Sequence, residues 1–121
     1  MTLALGNITV DCDDTLLVAT FWSAALDRPI DDEPSEGFAS IGREDPSQTG
    51  WFFIKVPEGK AVKNRLHLDV SPVDRSTEDE VARLLALGAT RTDVGQGADR
   101  SWVVMADPEG NEFCVLRTLA P

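Results

Sequence analysis

An internal repeat constrains this chain more than any single residue does. Ile8-Thr9-Val10-Asp11, just ahead of an acidic helix start, recurs as Leu66-His67-Leu68-Asp69 ahead of another. Each copy runs through a helical stretch to an acidic turn, Asp45-Pro46 in the first half and Asp107-Pro108 in the second, and ends in an apolar strand. Repetition of one supersecondary unit sets architecture before side chains are interpreted. The simplest reading is an α+β domain over residues 1–121, built from two βαβββ modules at about 5–58 and 63–119. The modules are expected to pair into a cupped sheet around a central cavity, where a ligand would bind.

A length of 121 residues with 42% hydrophobic content suits one domain with its own core. No apolar run approaches the ~20 residues of a membrane span, and the N-terminus lacks a secretory signal pattern, so a cytoplasmic address is expected. Cys12 and Cys114 lie in strand-like segments and not at zinc-motif spacings, and both are read as thiols in a reducing compartment. A formal net charge of −10 repels a phosphate backbone, which excludes nucleic acid as an expected partner. Asp31-Asp32-Glu33 reads as a solvated acidic loop.

In the first half, Ile8 to Cys12 alternates as a half-buried strand. Asp13 or Asp14 is placed to cap a helix whose stripe is Leu17, Val18, Phe21, Trp22 and Ala25, and Pro29 stops it soon after Leu26. Residues 30–36 read as a loop, with strands expected over Gly37–Arg43 and Trp51–Val56. The second half gives a strand at Arg65–Ser71. A helix follows, capped by Ser76 or Thr77, striped by Val81, Leu84 and Leu85, and closed at Gly88. Strands are expected at Thr90–Val94, Ser101–Ala106 and Glu112–Thr118, with a tight turn over Asp107–Asn111.

The segments Asn64-Arg65-Leu66-His67-Leu68-Asp69-Val70, Leu87-Gly88-Ala89 and Trp102 through Leu116, with its Asp107-Pro108-Glu109-Gly110-Asn111-Glu112-Phe113-Cys114 core, resemble the vicinal oxygen chelate superfamily, particularly its small glyoxalase-like domains of the glyoxalase/bleomycin resistance/dioxygenase type. The resemblance covers nearly the whole chain, and the second half carries most of it. It implies a homodimer. It also implies, for members that are metalloenzymes, a divalent ion held by His, Gln or Glu at four strand positions, two per module. In this sequence those positions fall on Thr9, on Phe53 or Ile54, on His67 and on Cys114. Only His67 is a customary ligand, so no metal and no other cofactor is expected, although Asp69 and Glu112 share strand faces with His67 and Cys114 and offer a noncanonical shell.

Strand alternation aims His67 and Asp69 at the concave face while Leu66, Leu68 and Val70 face the helices. Cys114 is read either as strand packing or, if His67 approaches it, as an activated thiolate. Trp51 and Trp102 are candidates to stack on a flat or cationic ligand, with rim packing or a dimer contact as the competing reading. Trp22 reads as core. Asp107, Gly110 and Asn111 are accounted for by turn chemistry. The candidate ligand-binding set is therefore His67, Asp69, Trp51, Phe53, Trp102, Cys114 and Thr9. The favoured reading is a module that binds a small organic molecule, aromatic or cationic, without a tightly held metal. The alternatives are a metal-dependent lyase, isomerase or dioxygenase, and a metal-free enzyme using Cys114 and His67.

Overall fold

The computed structural model describes residues 2–92 and 102–119. It divides into two compact units, residues 1–59 and 60–121. Among the described residues each unit is a mixed sheet with one helix, giving two sheets and two helices in an α+β arrangement. Neither helix is long and apolar enough to cross a membrane.

In the first unit, β1 (Asn7–Cys12) leads into α1 (Thr15–Leu26), followed by β2 (Phe38–Ile41) and β3 (Gly50–Lys55). The sheet order is β1-β3-β2, with β1 parallel and β2 antiparallel to β3. The helix starts where Asp14 accepts the Leu17 amide at 3.1 Å, and it stops at Leu26 because Asp27 takes a left-handed conformation at φ 53° two residues ahead of Pro29. Its buried residues Val18, Phe21 and Trp22 meet the helix-facing residues of the sheet, Ala39, Ile41, Trp51 and Phe53. Trp22 lies 4.9 Å from Trp51, ring centre to ring centre, and Trp51 lies 6.3 Å from Phe53. Fully burying each such aromatic contributes about 1.5–3 kcal/mol.

Residues 30–36 depart from the expected loop at their first member, since Ile30 bridges Ile41 in an antiparallel contact. That bridge stands where the repeat calls for another strand. The expectation that Asp31 is merely solvated also needs correction. Its carboxylate accepts from Ser40 Oγ (2.7 Å), the Gly42 amide (3.1 Å) and the Arg43 amide (3.0 Å), anchoring the loop to β2 and its exit. Burial pushes the Asp31 pKa up, but these bonds and the Arg43 charge outweigh it and hold the group below its ordinary value.

The second unit runs β4 (Leu68–Val70), α2 (Thr77–Leu87), β5 (Thr90–Arg91), β6 (Val103–Ala106) and β7 (Glu112–Val115), in sheet order β4-β7-β6-β5. Ser76 caps α2 by accepting the Asp79 amide at 3.0 Å, and Gly88 closes it at φ 118°. The Asp107 carboxylate accepts the Glu109 and Asn111 amides, each at 3.0 Å, which makes the turn before β7. The strand expected at Arg65–Ser71 is shorter, because the ladder with β7 covers only Leu68–Val70. Without a ladder partner, Leu66 is 91% exposed and does not face the helix as alternation suggested. The expected strand ends at Thr92-Asp93-Val94 and Ser101 fall partly or wholly outside the described residues.

Candidate functional site

The second unit gathers three of the candidate residues. In the parallel pairing of β4 with β7, Asp69 stands opposite Cys114, and His67 enters the strand two residues earlier on the same side. Cys114 Sγ lies 3.9 Å from His67 Nδ1, and that nitrogen lies 3.6 Å from Asp69 Oδ1. The three ligand-type atoms all fall within 4.8 Å of one another. Cys114 is buried, whereas the His67 and Asp69 side chains are exposed, so an imidazole and a carboxylate stand in solvent over a covered thiol. Burial pushes the Cys114 thiol above its ordinary value, and the Asp69 carboxylate beside it pushes it further, with Lys63 opposing only in part. The thiol is therefore kept protonated near neutral pH, which is the opposite of nucleophile activation.

Next to this cluster, Glu112 supplies a carboxylate that is already engaged. Its Oε1 accepts the Asn64 amide at 2.9 Å and lies 3.0 Å from Lys60 Nζ. Burial alone would raise its pKa, but the Asn64 amide and the Lys60 ammonium outweigh it and hold it below the ordinary value. Glu112 thus ties the start of the segment that leads to His67 onto β7. Strand alternation in the sequence offers Glu112 only as a spare metal ligand. The lysine four residues upstream of Asn64 carried no signal that would have identified the clasp.

In the first unit, register separates the candidates. Thr9 pairs with Phe52 and Asp11 with Ile54, so these four share the sheet face away from α1. If Thr9 corresponds to His67, then Asp11 corresponds to Asp69, and their cross-strand partners Ile54 and Cys114 correspond in turn. The position left between Phe53 and Ile54 is thereby Ile54. Phe53 is fully buried and Trp51 nearly so, both on the α1 side, which places them in the packed layer and not on an open face. Thr9 is exposed and accepts from Asn7 Nδ2 at 2.9 Å. Phe52, not singled out from sequence, is half-buried on the open face with its ring 5.4 Å from Phe38. Strand parity with Thr9 was the signal available for it. Trp102 is half-buried ahead of β6.

A cavity of about 550 Å³ lies at the end of the first unit, walled by Leu5 to Asn7, the Gly42–Gly50 loop and Phe52. None of the residues proposed from the sequence as ligand contacts lines it.

The four positions indicated by the resemblance hold a hydroxyl, a hydrocarbon, an imidazole and a thiol. A hydrocarbon offers no donor and a threonine hydroxyl is a poor one, so this set does not fit a four-ligand divalent ion.

A family profile described as a glyoxalase-like domain matches residues 7–116. Among solved structures, a glyoxalase/bleomycin resistance protein/dioxygenase family enzyme from Burkholderia phytofirmans PsJN is similar at a TM-score of 0.68 and 18% identity, over 93% of this chain and 97% of that one. The fosfomycin resistance protein FosX from Mesorhizobium loti gives a TM-score of 0.69 at 14% identity, over 99% and 94% of the two chains. The bleomycin-binding protein from bleomycin-producing Streptomyces verticillus, in complex with copper(II)-bleomycin, gives 0.60 at 17% identity, over 98% and 100%. At these identities the likeness is one of fold. Comparison with curated proteins gives no match.

Proposed function

Because this chain belongs to the glyoxalase-like domain family, we propose that it binds a small organic molecule on its open sheet faces, without the superfamily's four-ligand metal ion. The observation that carries this reading is the donor set Thr9, Ile54, His67 and Cys114, of which one is a customary ligand. Taken separately, the second unit offers exposed polar contacts in His67 and Asp69, and the first offers an aromatic edge in Phe52 and Phe38; each is chemistry suited to an aromatic or cationic ligand. The similar bleomycin-binding and fosfomycin resistance proteins support small-molecule binding as a class. Homodimerisation and a cytoplasmic address belong to the same proposal. The rival with a nucleophilic Cys114 draws no support from a thiol held protonated by burial.

Ligand extracted from denatured full-length protein, identified by mass spectrometry and titrated back, tests the reading. His67→Ala should weaken its affinity by about 1–3 kcal/mol, the cost of a lost buried hydrogen bond, with the melting temperature unchanged. Metal analysis of protein purified without chelators should give far less than one transition metal per chain after dialysis. Stoichiometric zinc, nickel or iron that survives dialysis and disappears with His67→Ala refutes the reading.

A further inference from the structure

We propose that the cavity at the end of the first unit is a binding site for an uncharged, hydroxyl-rich small molecule, by chemical class a pyranose sugar. Its volume of about 550 Å³ falls within the roughly 300–1,000 Å³ of small-molecule sites. It is built from the first unit alone and shares only Phe52 with the contacts proposed above. Its wall is preformed. Arg28, just past α1, donates from Nη1 to the Thr49 carbonyl at 2.8 Å. Its Nη2 packs over Gly42, which sits at φ 67° and where a β-carbon would run into that nitrogen. Asp31 holds the Gly42 and Arg43 amides from the other side, and Gly50 opens β3, so both ends of the Gly42–Gly50 loop are tied down. A wall fixed before the ligand arrives costs less ordering on binding.

The charges in and behind this wall are answered from within the protein, which leaves an ionic ligand little to gain. Arg43 donates to Ser40 Oγ at 3.1 Å, and its charge acts on the Asp31 carboxylate. Asp45 accepts the Ser47 hydroxyl and amide, and the Arg28 guanidinium adds its field. What the lining offers beyond these is a mixture of donors and acceptors: the amides of Asn7 and Gln48, the Thr49 hydroxyl and the Glu44 carboxylate. A sugar hydroxyl donates and accepts at one atom, so a run of neighbouring hydroxyls meets such a mixture where a group that only donates or only accepts does not. Phe52 supplies the apolar element. Its ring is half-buried and edge-on to Phe38, and an aromatic face with its negative quadrupole suits the C–H side of a pyranose ring.

The test is titration of full-length, nitrogen-15-labelled protein with the methyl glycosides of glucose, galactose and mannose, followed by amide NMR shifts, with glycerol and benzyltrimethylammonium as comparison probes. At least one glycoside should give saturable shifts at the amides of the Gly42–Gly50 loop and of Phe52, binding about tenfold or more tightly than glycerol or the cation. Phe52→Leu removes the ring and keeps apolar bulk, and Gln48→Ala changes an exposed loop position where folding is not at stake. Each should weaken the glycoside about two- to tenfold, the effect of one aromatic contact or one neutral hydrogen bond. No saturable shift with any of the glycosides, shifts at His67 and Asp69 in place of the loop, equal affinity for glycerol or the cation, or unchanged affinity in either variant overturns the inference. Small-molecule binding at the open sheet faces is read separately, from ligand recovered from denatured protein, so neither result decides the other.

Discussion

Replacing Glu112 probes how the segment carrying Lys63 and His67 is held to the sheet. The Glu112 side chain is 13% exposed and its Lys60 partner 20%, so their 3.0 Å pair is shielded in a way that surface pairs are not. Glu112→Gln keeps an amide oxygen for the Asn64 N–H but removes the charge. A charge-assisted bond contributes about 1.5–3 kcal/mol and a neutral one about 0.5–1.5, so the loss should be about 1–1.5 kcal/mol. Glu112→Ala removes both bonds and should cost about 2–3 kcal/mol. Urea unfolding followed by far-ultraviolet circular dichroism reads the total. Hydrogen exchange at the Asn64 amide reads the local part, where each 1.4 kcal/mol or so is about a tenfold faster opening. The sign of the pH dependence follows from a folded-state pKa below the ordinary 4.5. The stabilisation is fully present above the unfolded-state value and is lost as pH falls through the lower folded-state value. The gap between wild type and Glu112→Gln should therefore be constant at neutral pH and close in the acid range below about 4.5. Equal stability of the two proteins at pH 7, or a gap that persists undiminished into strong acid, refutes the clasp as a stabilising charge pair.

Two further outcomes are expected. Two thiols should titrate in denaturant, and in the native protein Cys114 should alkylate slowly, its rate rising through a midpoint above the ordinary 9.0 because burial and Asp69 disfavour the thiolate; fast alkylation at neutral pH refutes this. Phe53→Ala should destabilise by about 3–5 kcal/mol in urea unfolding, as a fully buried aromatic on the α1 side of the sheet. A loss under about 1 kcal/mol would instead place Phe53 on an accessible face.

Helix positions were legible because their signals are local. Asp14 and Ser76 as caps, the stop ahead of Pro29 and the closure at Gly88 each depend on residues within one turn of the chain. Strand limits were not, because a strand ends where its partner does. Arg65–Leu66 alternates like a strand, yet the ladder with β7 begins only at Leu68, opposite Phe113. Trp51 and Phe53 read as ligand contacts for a related reason. A buried aromatic strand looks the same from either face until cross-strand register with Thr9 and Asp11 shows which side carries the helix. That Asp69 shares a strand face with His67 was legible from alternation, whereas its pairing with Cys114 depends on the β4–β7 register and the direction of the thiol's shift on burial, neither of which spacing reveals.

The repeat that organises the chain also shows how its two copies have diverged chemically. At corresponding positions the first unit offers Thr9 and Ile54, and the second offers His67 and Cys114. A divalent ion needs deprotonated or lone-pair donors converging within about 2–2.3 Å, and a hydrocarbon side chain contributes none. The corresponding acid in the first unit, Asp11, faces Ile54 across the ladder where Asp69 faces Cys114. What that face retains is apolar area beside a carboxylate, from Phe52, Phe38 and Ile54, which suits organic surface better than a metal. The same fold thus presents an imidazole, a carboxylate and a thiol in one copy and apolar side chains beside a carboxylate in the other.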